Sequence, residues 1–200
     1  PEGLIELLGG DEAFNKKLDE LFSMSSELGE EASMDITGLI GQYAHGNEPS
    51  HHTTYMYAYS GEHYKIADKV RYINNELYTD KPDGLSGNED CGQMSAWYIL
   101  SSIGFYPVNP SNGAYVFGSP LFDEVTLNIP GQNKFKISAM NNSDKNIYIQ
   151  SVSLNGEDYK YSYITHKQIL EGGELEFVMG PNPNKNFGSE KKYRPKSIVY

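Results

Sequence analysis

Apolar residues upstream of Pro107 recur three or four positions apart, the spacing that places them on one face of a helix. Asp11 precedes the first of these segments and is suited to cap it. The last segment is apolar on nearly every side, which predicts a well-buried helix. The predicted helices are one that carries Phe14, Leu18 and Phe22 and others over residues 49–59, 62–78 and 93–105.

The pattern changes to a period of two downstream of Pro107, where short runs of β-branched and aromatic residues are separated by Gly, Pro, Asn and Asp. Asn155-Gly156 is a strong signal for a tight hairpin turn. Ile198 and Val199 are suited to a further edge strand. The predicted strands cover residues 114–117, 124–129, 134–139, 147–154 and 174–178.

These two patterns divide the chain into a helical part, residues 1–106, and an antiparallel β-sandwich domain, residues 107–200, so the fold class is α+β. The acidic residues are concentrated in the helical part. Residues 1–106 carry 6 Lys and Arg against 18 Asp and Glu, whereas residues 107–200 carry 10 against 9. The net charge of −11 disfavours nucleic acid and anionic membrane as partners and is compatible with neutral ligands and divalent cations.

The chain has no apolar run of the roughly 18 residues that a membrane helix needs, so no membrane insertion is expected. It has neither an initiator Met nor the segments of a signal peptide, and we expect it to be part of a longer polypeptide with a missing N-terminal part. The lone Cys91 gives no disulfide framework. Because Glu89 and Asp90 disfavour a thiolate there, Cys91 is predicted to be a small packing residue.

Two short clusters hold the candidate chemistry. Each places carboxylate, amide or imidazole groups on a turn broken by Gly or Pro, before an aromatic-rich helical segment. Polar groups held on turns between rigid elements are a common way to build a site. The clusters are His45-Gly46-Asn47-Glu48-Pro49-Ser50-His51-His52 and Gly87-Asn88-Glu89-Asp90-Cys91-Gly92-Gln93.

In the first cluster, Asn47 and Glu48 carry oxygens suited to a hard cation or to sugar hydroxyls, and equally to capping the helix that follows. His51 and His52 are adjacent, so on a helix they point about 100° apart and disfavour a zinc site. His51 is the better candidate to reach a substrate hydroxyl, and His52 is expected to pack or cap.

In the second cluster, Asn88, Glu89 and Asp90 lie on a bent loop, where one acid can activate water while the other holds a cation. Helix capping before Gln93 is the alternative. Tyr55, Tyr57 and Tyr59 follow the first cluster, and aromatic rings stack well on a pyranose, although ordinary half-buried packing explains them equally.

Taken together, the strings in this chain resemble one family, the calcium-dependent exo-acting α-mannosidases of glycoside hydrolase family ninety-two. Similarity covers nearly the whole chain, and the occurrence of both clusters together is specific. The matching strings are Gly3-Leu4-Ile5-Glu6-Leu7-Leu8-Gly9-Gly10, residues 43–52 and 84–108, Phe117-Gly118-Ser119-Pro120, and more weakly residues 141–143, 148–150 and 172–173.

The resemblance implies that residues 1–106 are the C-terminal part of an α/α barrel of six hairpins, followed by a β-sandwich segment. It also implies inverting, Ca²⁺-dependent hydrolysis of terminal α-linked mannose, including α-1,2 linkages, from N-glycans or mannan by a periplasmic or secreted enzyme. Two carboxyl groups about 6.5–9.5 Å apart would act as acid and base. The family's general acid lies upstream of the Gly-Leu-Ile-Glu-Leu string and matches nothing here, so these 200 residues alone are expected to be inactive.

Carried over by position, Asp90 matches the family's general base, with Glu89 and Asn88 beside it. Asn47 and Glu48 match the motif that contacts calcium or the terminal mannose, and His45 and His51 match substrate-side positions. The predicted roles are catalytic for Asp90 and Glu89, substrate-binding for His45, Glu48, His51 and Asn88, and calcium-binding for Asn47, Glu48 and Asp90.

Two other functions remain open from the sequence. The β-sandwich is a candidate non-catalytic carbohydrate-binding module, in which Tyr159, Tyr161 and Tyr163 share a strand face as an aromatic platform. The other is a structural calcium site that binds no sugar. A mannoside titration separates these functions, because binding that is lost on chelation or in Asp90→Asn belongs to the helical part.

Overall fold

Helices dominate the first half of the chain and strands the second. The structure is a computed structural model that describes residues 1–29, 33, 36–131 and 133–197. Its α-helices are α1 (Glu2–Leu7), α2 (Asp11–Ser23), α3 (Lys65–Glu76), α4 (Gln93–Ile103) and α5 (His166–Leu170). Its strands are β1 (Leu39–Ile40), β2 (Tyr43–Ala44), β3 (Phe105–Asn109), β4 (Ala114–Phe117), β5 (Glu124–Asn128), β6 (Lys134–Met140), β7 (Tyr148–Leu154), β8 (Glu157–Asp158), β9 (Tyr163–Thr165) and β10 (Gly173–Gly180).

Three predicted helices are present with somewhat different ends. In α2, Asp11 is the first helical residue and Gly10 occupies the capping position, so Asp11 is not the cap. α3 and α4 lie inside the predicted ranges. Gly104 caps the C-terminal end of α4. Its φ of 119° is a conformation that glycine adopts readily, and its N–H donates to the carbonyls of Leu100 and Ser101.

The α-helix predicted over residues 49–59 is wrong. That segment forms two 3₁₀-helices, Glu48–Ser50 and Thr53–Ala58, with His51 and His52 between them. Residues 54–60 are all buried, so the second 3₁₀-helix has almost no solvent-facing side. Tertiary packing therefore decides its conformation, and short 3₁₀ pieces are common connectors in such positions.

The strands form two larger sheets and the small β1–β2 hairpin. The five-stranded sheet has the order β5-β6-β10-β7-β8, and the three-stranded sheet has the order β3-β4-β9. Asn155 and Gly156, with φ values of 53° and 83°, join β7 to β8, which confirms the predicted hairpin. The strands that lie outside the predicted strand ranges are β1, β2, β3, β8 and β9.

One strand pair corrects the antiparallel prediction. β10 pairs with β7 antiparallel but with β6 parallel. Between β8 and β10 the chain leaves this sheet to form β9 in the other sheet and then α5. After this long crossover, β10 runs in the same direction as its neighbour β6. A direct hairpin between two neighbouring strands would make them antiparallel. The predicted strand at Ile198 and Val199 lies outside the described residues.

Two apolar cores lie on either side of α4. The first packs α2, α3 and the buried tyrosines around Trp97. The second takes side chains from both larger sheets, and Phe117 meets Phe177 across it with ring centroids 5.1 Å apart. β3 spans the predicted boundary, because Phe105 belongs to the second core and Tyr106 to the first. The barrel and the division at residue 106 stay predictions.

Buried polar contacts join the helical part to the strands. Arg71 of α3 donates from Nε to the Ser119 hydroxyl at 2.9 Å and from Nη2 to the Pro120 carbonyl. The imidazole of His63 bonds to the carbonyl of Phe117 at 2.9 Å. These contacts hold the two parts in one arrangement. No helix in the described ranges is long and apolar enough to cross a membrane.

Candidate active site

The two predicted clusters lie against each other in the fold. A Cβ atom added at Gly87 would lie 2.5 Å from the carbonyl oxygen of Gly46, and one added at Gly46 would lie 2.5 Å from the carbonyl oxygen of Ser86. Only glycine permits such close backbone approach. Asn47 and Asn88, which directly follow these glycines, therefore begin two turns on neighbouring backbone segments.

The first turn is positioned by the β1–β2 hairpin. The N–H of His45 donates to the carbonyl of Gly38 at 3.0 Å, and the N–H of Gly46 donates to the carbonyl of Thr37 at 3.1 Å. Pro49 then stands inside the 3₁₀-helix that begins at Glu48. The hairpin thus delivers the Asn47 amide to the surface, with Glu48 half-buried beside it.

The second turn has an unusual backbone. Asp90, Cys91 and Gly92 have consecutive positive φ values of 48°, 58° and 92°. Left-handed conformations are uncommon for residues other than glycine, and such strain concentrates at functional sites. Cys91 is exposed, so its predicted role in packing is wrong, because the left-handed turn keeps it outside both cores.

The two acids of the second turn differ in their contacts. The Glu89 carboxylate accepts the backbone N–H of Ser95 at 3.1 Å and the Ser95 hydroxyl at 2.7 Å. The Asp90 side chain is exposed and, over the residues that the structure describes, makes neither a hydrogen bond nor an ion pair. Asp90 is therefore the carboxylate of this turn that is free to meet a ligand or a water molecule.

His45 lies buried beneath the first turn with both ring nitrogens bonded. The Tyr78 hydroxyl donates to the carbonyl of Met94 at 3.0 Å, so His45 Nε2 donates to Tyr78 at 2.7 Å, and His45 Nδ1 accepts from the Tyr43 hydroxyl at 2.8 Å. Burial, and then the neighbouring His51, lower the pKa of His45 to about 3. His45 is thus a neutral, supporting ring.

His51 joins the two turns from below. Its Nε2 donates to the carbonyl of His45 at 2.9 Å, and its Nδ1 accepts from the side chain of Gln93 at 3.1 Å. Gln93 also donates to the Tyr106 hydroxyl at 3.1 Å. Burial is the main cause that lowers the pKa of His51. This network fixes the first turn to the start of α4.

His51, which was expected to reach a substrate hydroxyl, is buried, whereas His52, which was expected to pack or cap, faces solvent. Substrate contact by His45 and His51 stays a prediction, which their burial disfavours.

The match to known sequences decides the family. Residues 1–181 match the Glycosyl hydrolase family 92 catalytic domain. The chain belongs to this family.

Solved structures of family members are close to this fold. A family GH92 α-mannosidase of Bacteroides thetaiotaomicron, in complex with mannoimidazole, is 43% identical with a TM-score of 0.88 over 94% of this chain and 25% of its own. The family GH92 inverting mannosidase BT2199 of the same species is 38% identical with a TM-score of 0.85 over 98% of this chain and 28% of its own. The chain thus spans about a quarter of the length of these enzymes.

A curated relative points the same way. A protein of Arthroderma benhamiae described as an uncharacterized secreted glycosidase is 30% identical over 98% of this chain and 23% of its own length. Its description is consistent with family 92, whose solved members named above are mannosidases.

Sequence reasoning missed several residues that support this family 92 site. Tyr78, Gln93, Ser95 and Trp97 hold the turns, yet none was given a role. Gln93 lay inside the second cluster, and its amide was the available signal. Tyr78 ends the predicted helix over residues 62–78, and no local pattern shows that its hydroxyl meets His45 and Met94.

The predicted calcium ligands have the type of donor atom that a hard cation requires. The side chains of Asn47, Glu48 and Asp90 carry oxygens and make no hydrogen bond or ion pair within the described ranges. They are too few, because Ca²⁺ takes six to eight oxygen ligands. In the described part of the chain, no three His, Cys, Asp or Glu side chains come together as a metal site. Backbone carbonyls, water, sugar hydroxyls or other residues must complete such a site.

The tyrosines do not form a sugar-stacking platform. Tyr55, Tyr57 and Tyr59 are buried, so they pack rather than flank a sugar. Only Tyr163 of the second group lies in a strand, and Tyr161 meets Tyr163 at 77° and Tyr159 at 51°. Tilted rings present no common flat face to a pyranose. The carbohydrate-binding module stays a prediction that this geometry disfavours.

Proposed function

We propose that this chain supplies the base-bearing part of an exo-acting, inverting, calcium-dependent α-mannosidase. The observation that carries the proposal is the contact between two turns. One presents Asp90 without a hydrogen bond or ion pair to any described residue, and the other presents Asn47 and Glu48. Membership of family 92 and the mannoimidazole complex of a relative support a mannose-type substrate. The proposed substrates are terminal α-linked mannose residues of N-glycans or mannan, with α-1,2 linkages among them.

Asp90 acts as general base in this proposal. Its exposed carboxylate takes a proton from water as the oxygen attacks the anomeric carbon, while a carboxylic acid on the opposite face protonates the leaving oxygen. This displacement inverts the anomeric configuration. Asn88 is exposed beside the base, and in this proposal it would bind a sugar hydroxyl or the attacking water.

Asn47, Glu48 and Asp90 would hold the calcium ion, with the remaining oxygens from outside this set. Calcium bound there would orient and polarise the hydroxyls of the terminal mannose. The half-buried Glu48 begins a short 3₁₀-helix and the exposed Asn47 precedes it, so both would contribute from one short turn that the β1–β2 hairpin holds in place.

The general acid belongs to the part of the enzyme outside this chain. The chain aligns with only about a quarter of the length of its solved relatives. The remaining three quarters of such an enzyme can supply the general acid. We therefore infer that the 200 residues alone do not turn over substrate. We also infer that the enzyme is exported, as the description of the Arthroderma relative supports.

The test is hydrolysis of α-1,2-mannobiose by the full-length polypeptide that carries this segment. Proton NMR of the first turnovers on the methyl glycoside of this disaccharide, whose leaving group has no free anomeric centre, should show β-mannose. A chelator should abolish activity until calcium is restored. Asp90→Asn should lower kcat by about 10²- to 10⁴-fold. Asp158→Asn, an exposed acid on β8, is the matched control and should leave kcat unchanged.

Full activity in Asp90→Asn, or α-mannose as the first product, would refute the proposal. Comparison with α-1,3-mannobiose then defines the linkage preference. A parallel assay of the 200-residue chain checks the inference about the acid, since clear turnover by that chain would place both catalytic carboxyl groups within it.

A further inference from the structure

The left-handed turn that presents Asp90 is fastened at both ends to the start of α4. On its upstream side the Glu89 carboxylate holds the N–H and the hydroxyl of Ser95 with one oxygen each. On its downstream side Gly92 leads directly into α4, and the Gly92 carbonyl accepts the N–H of Ala96 at 2.9 Å.

From this geometry we propose that Glu89 is a positioning residue rather than a second proton-transfer group, and that Ser95 is the partner through which it acts. The inference rests on the proposed function, in which Asp90 is the base. Glu89 and Asp90 are adjacent acids, and sequence alone gives both a catalytic role. The contacts separate them, because each Glu89 oxygen accepts a bond from Ser95 whereas Asp90 faces solvent.

The position of Glu89 explains why a carboxylate is suited to this task. The N–H groups of the first turn of a helix have no partners within the helix, and the helix dipole favours negative charge there. Glu89 meets both requirements for α4, where the capping residue Gly92 has no side chain to do so. Its backbone carbonyl also accepts the N–H of Met94 at 3.3 Å.

The consequence for Asp90 follows from the backbone. Asp90 and Cys91 both hold positive φ values, a conformation that persists only when its surroundings enforce it. The Glu89–Ser95 pair fixes the residue immediately before this strained segment. Loss of the pair should let the turn relax and shift the Asp90 carboxylate, and misplacement of a catalytic group by about 1 Å can cost about 10²-fold in rate.

The experiment compares four variants of the full-length polypeptide. Ser95→Ala should lower kcat by about ten- to a hundredfold and change KM by less than about twofold, since the base is displaced but sugar contacts stay. Ser95→Thr keeps the hydroxyl and should restore kcat to within about threefold of the parent. Glu89→Gln keeps an oxygen acceptor and should retain at least about a tenth of kcat. Asp90→Asn should lose about 10²- to 10⁴-fold.

Ser102→Ala is the matched control on the same helix. The Ser102 hydroxyl is buried and has no hydrogen-bond partner within the described residues, so its removal breaks no bond and should leave kcat unchanged. Thermal melting of every variant separates a displaced turn from a misfolded protein.

Two results would overturn the inference. If Glu89→Gln is as damaging as Asp90→Asn, Glu89 itself transfers the proton. If Ser95→Ala keeps parental kcat, the pair does not position the base. Full activity in Asp90→Asn is a different result, because it refutes the proposed function itself and leaves no base for the pair to position.

Discussion

Trp97 donates its indole N–H to the carbonyl oxygen of His51 at 3.0 Å. The same indole meets the ring of His45 edge-on, with centroids 4.4 Å apart. Trp97 thus connects α4 to both histidines that lie beneath the Asn47–Glu48 turn. Because it is the only tryptophan in the chain, its fluorescence reports on this site alone.

Calcium should change the fluorescence of Trp97 in the 200-residue chain. Binding at Asn47 and Glu48 would alter the segment that carries the His51 carbonyl, and indole emission responds to such changes in its surroundings. A calcium titration should therefore give a saturable signal that a chelator reverses. Glu48→Gln should remove the response, whereas Glu157→Gln, exposed on β8, should keep it. A response that survives in Glu48→Gln would place calcium elsewhere.

Local sequence patterns predicted the helices and turns that depend on residues close to one another in the sequence. The three- and four-residue spacing of Ile66, Val70 and Ile73 gave α3, and Asn155-Gly156 gave the β7–β8 turn. The parallel pairing of β10 with β6 depends on a crossover through another sheet, which no local pattern encodes. Both turns of the site were predicted because unusual polar residues mark them.

The detailed roles within the site could not be predicted in the same way. Whether His51 or His52 is buried depends on Gln93 and Trp97, which are more than forty positions away in sequence. The distinction between Glu89 and Asp90 likewise depends on the left-handed backbone that follows Glu89 and on the contacts of Ser95. These are three-dimensional relationships between residues of ordinary type.

Arg71→Met should destabilise the chain by about 2–4 kcal/mol. The guanidinium is buried and bonds to the Ser119 hydroxyl, the Pro120 carbonyl and Asn142, and methionine would leave these groups without their partner. Urea unfolding followed by circular dichroism measures the loss. Lys17→Met is the control, because its ion pair with Glu20 is solvent-exposed and should contribute at most about 0.5 kcal/mol. Equal stability of the two variants would show that Arg71 does not join the helical part to the strands.

His63 should make the chain less stable as the pH falls below about 6.5. Burial lowers the pKa of folded His63 to about 4, while the unfolded chain keeps the ordinary value, so between these pH values the unfolded state binds more protons. Stability due to this group then falls by up to about 1.4 kcal/mol per pH unit on acidification. His63→Gln, which can still donate to the Phe117 carbonyl, should show a shallower slope in urea unfolding between pH 6.5 and 4. Parallel slopes in the two proteins would show that folded His63 titrates normally.

Cys91 offers a chemical probe of the Asp90 turn. It is the only cysteine, and it is exposed one residue after the proposed base, so a maleimide should label the folded chain fully without denaturant. Calcium together with mannose should slow the labelling, because a ligand held by Asp90 would cover its neighbour. In Asp90→Asn the same additions should give no protection relative to the ligand-free labelling rate of that variant. Labelling that requires denaturant would mean that Cys91 is buried in solution, and protection that persists in Asp90→Asn would mean that the ligand lies away from this turn.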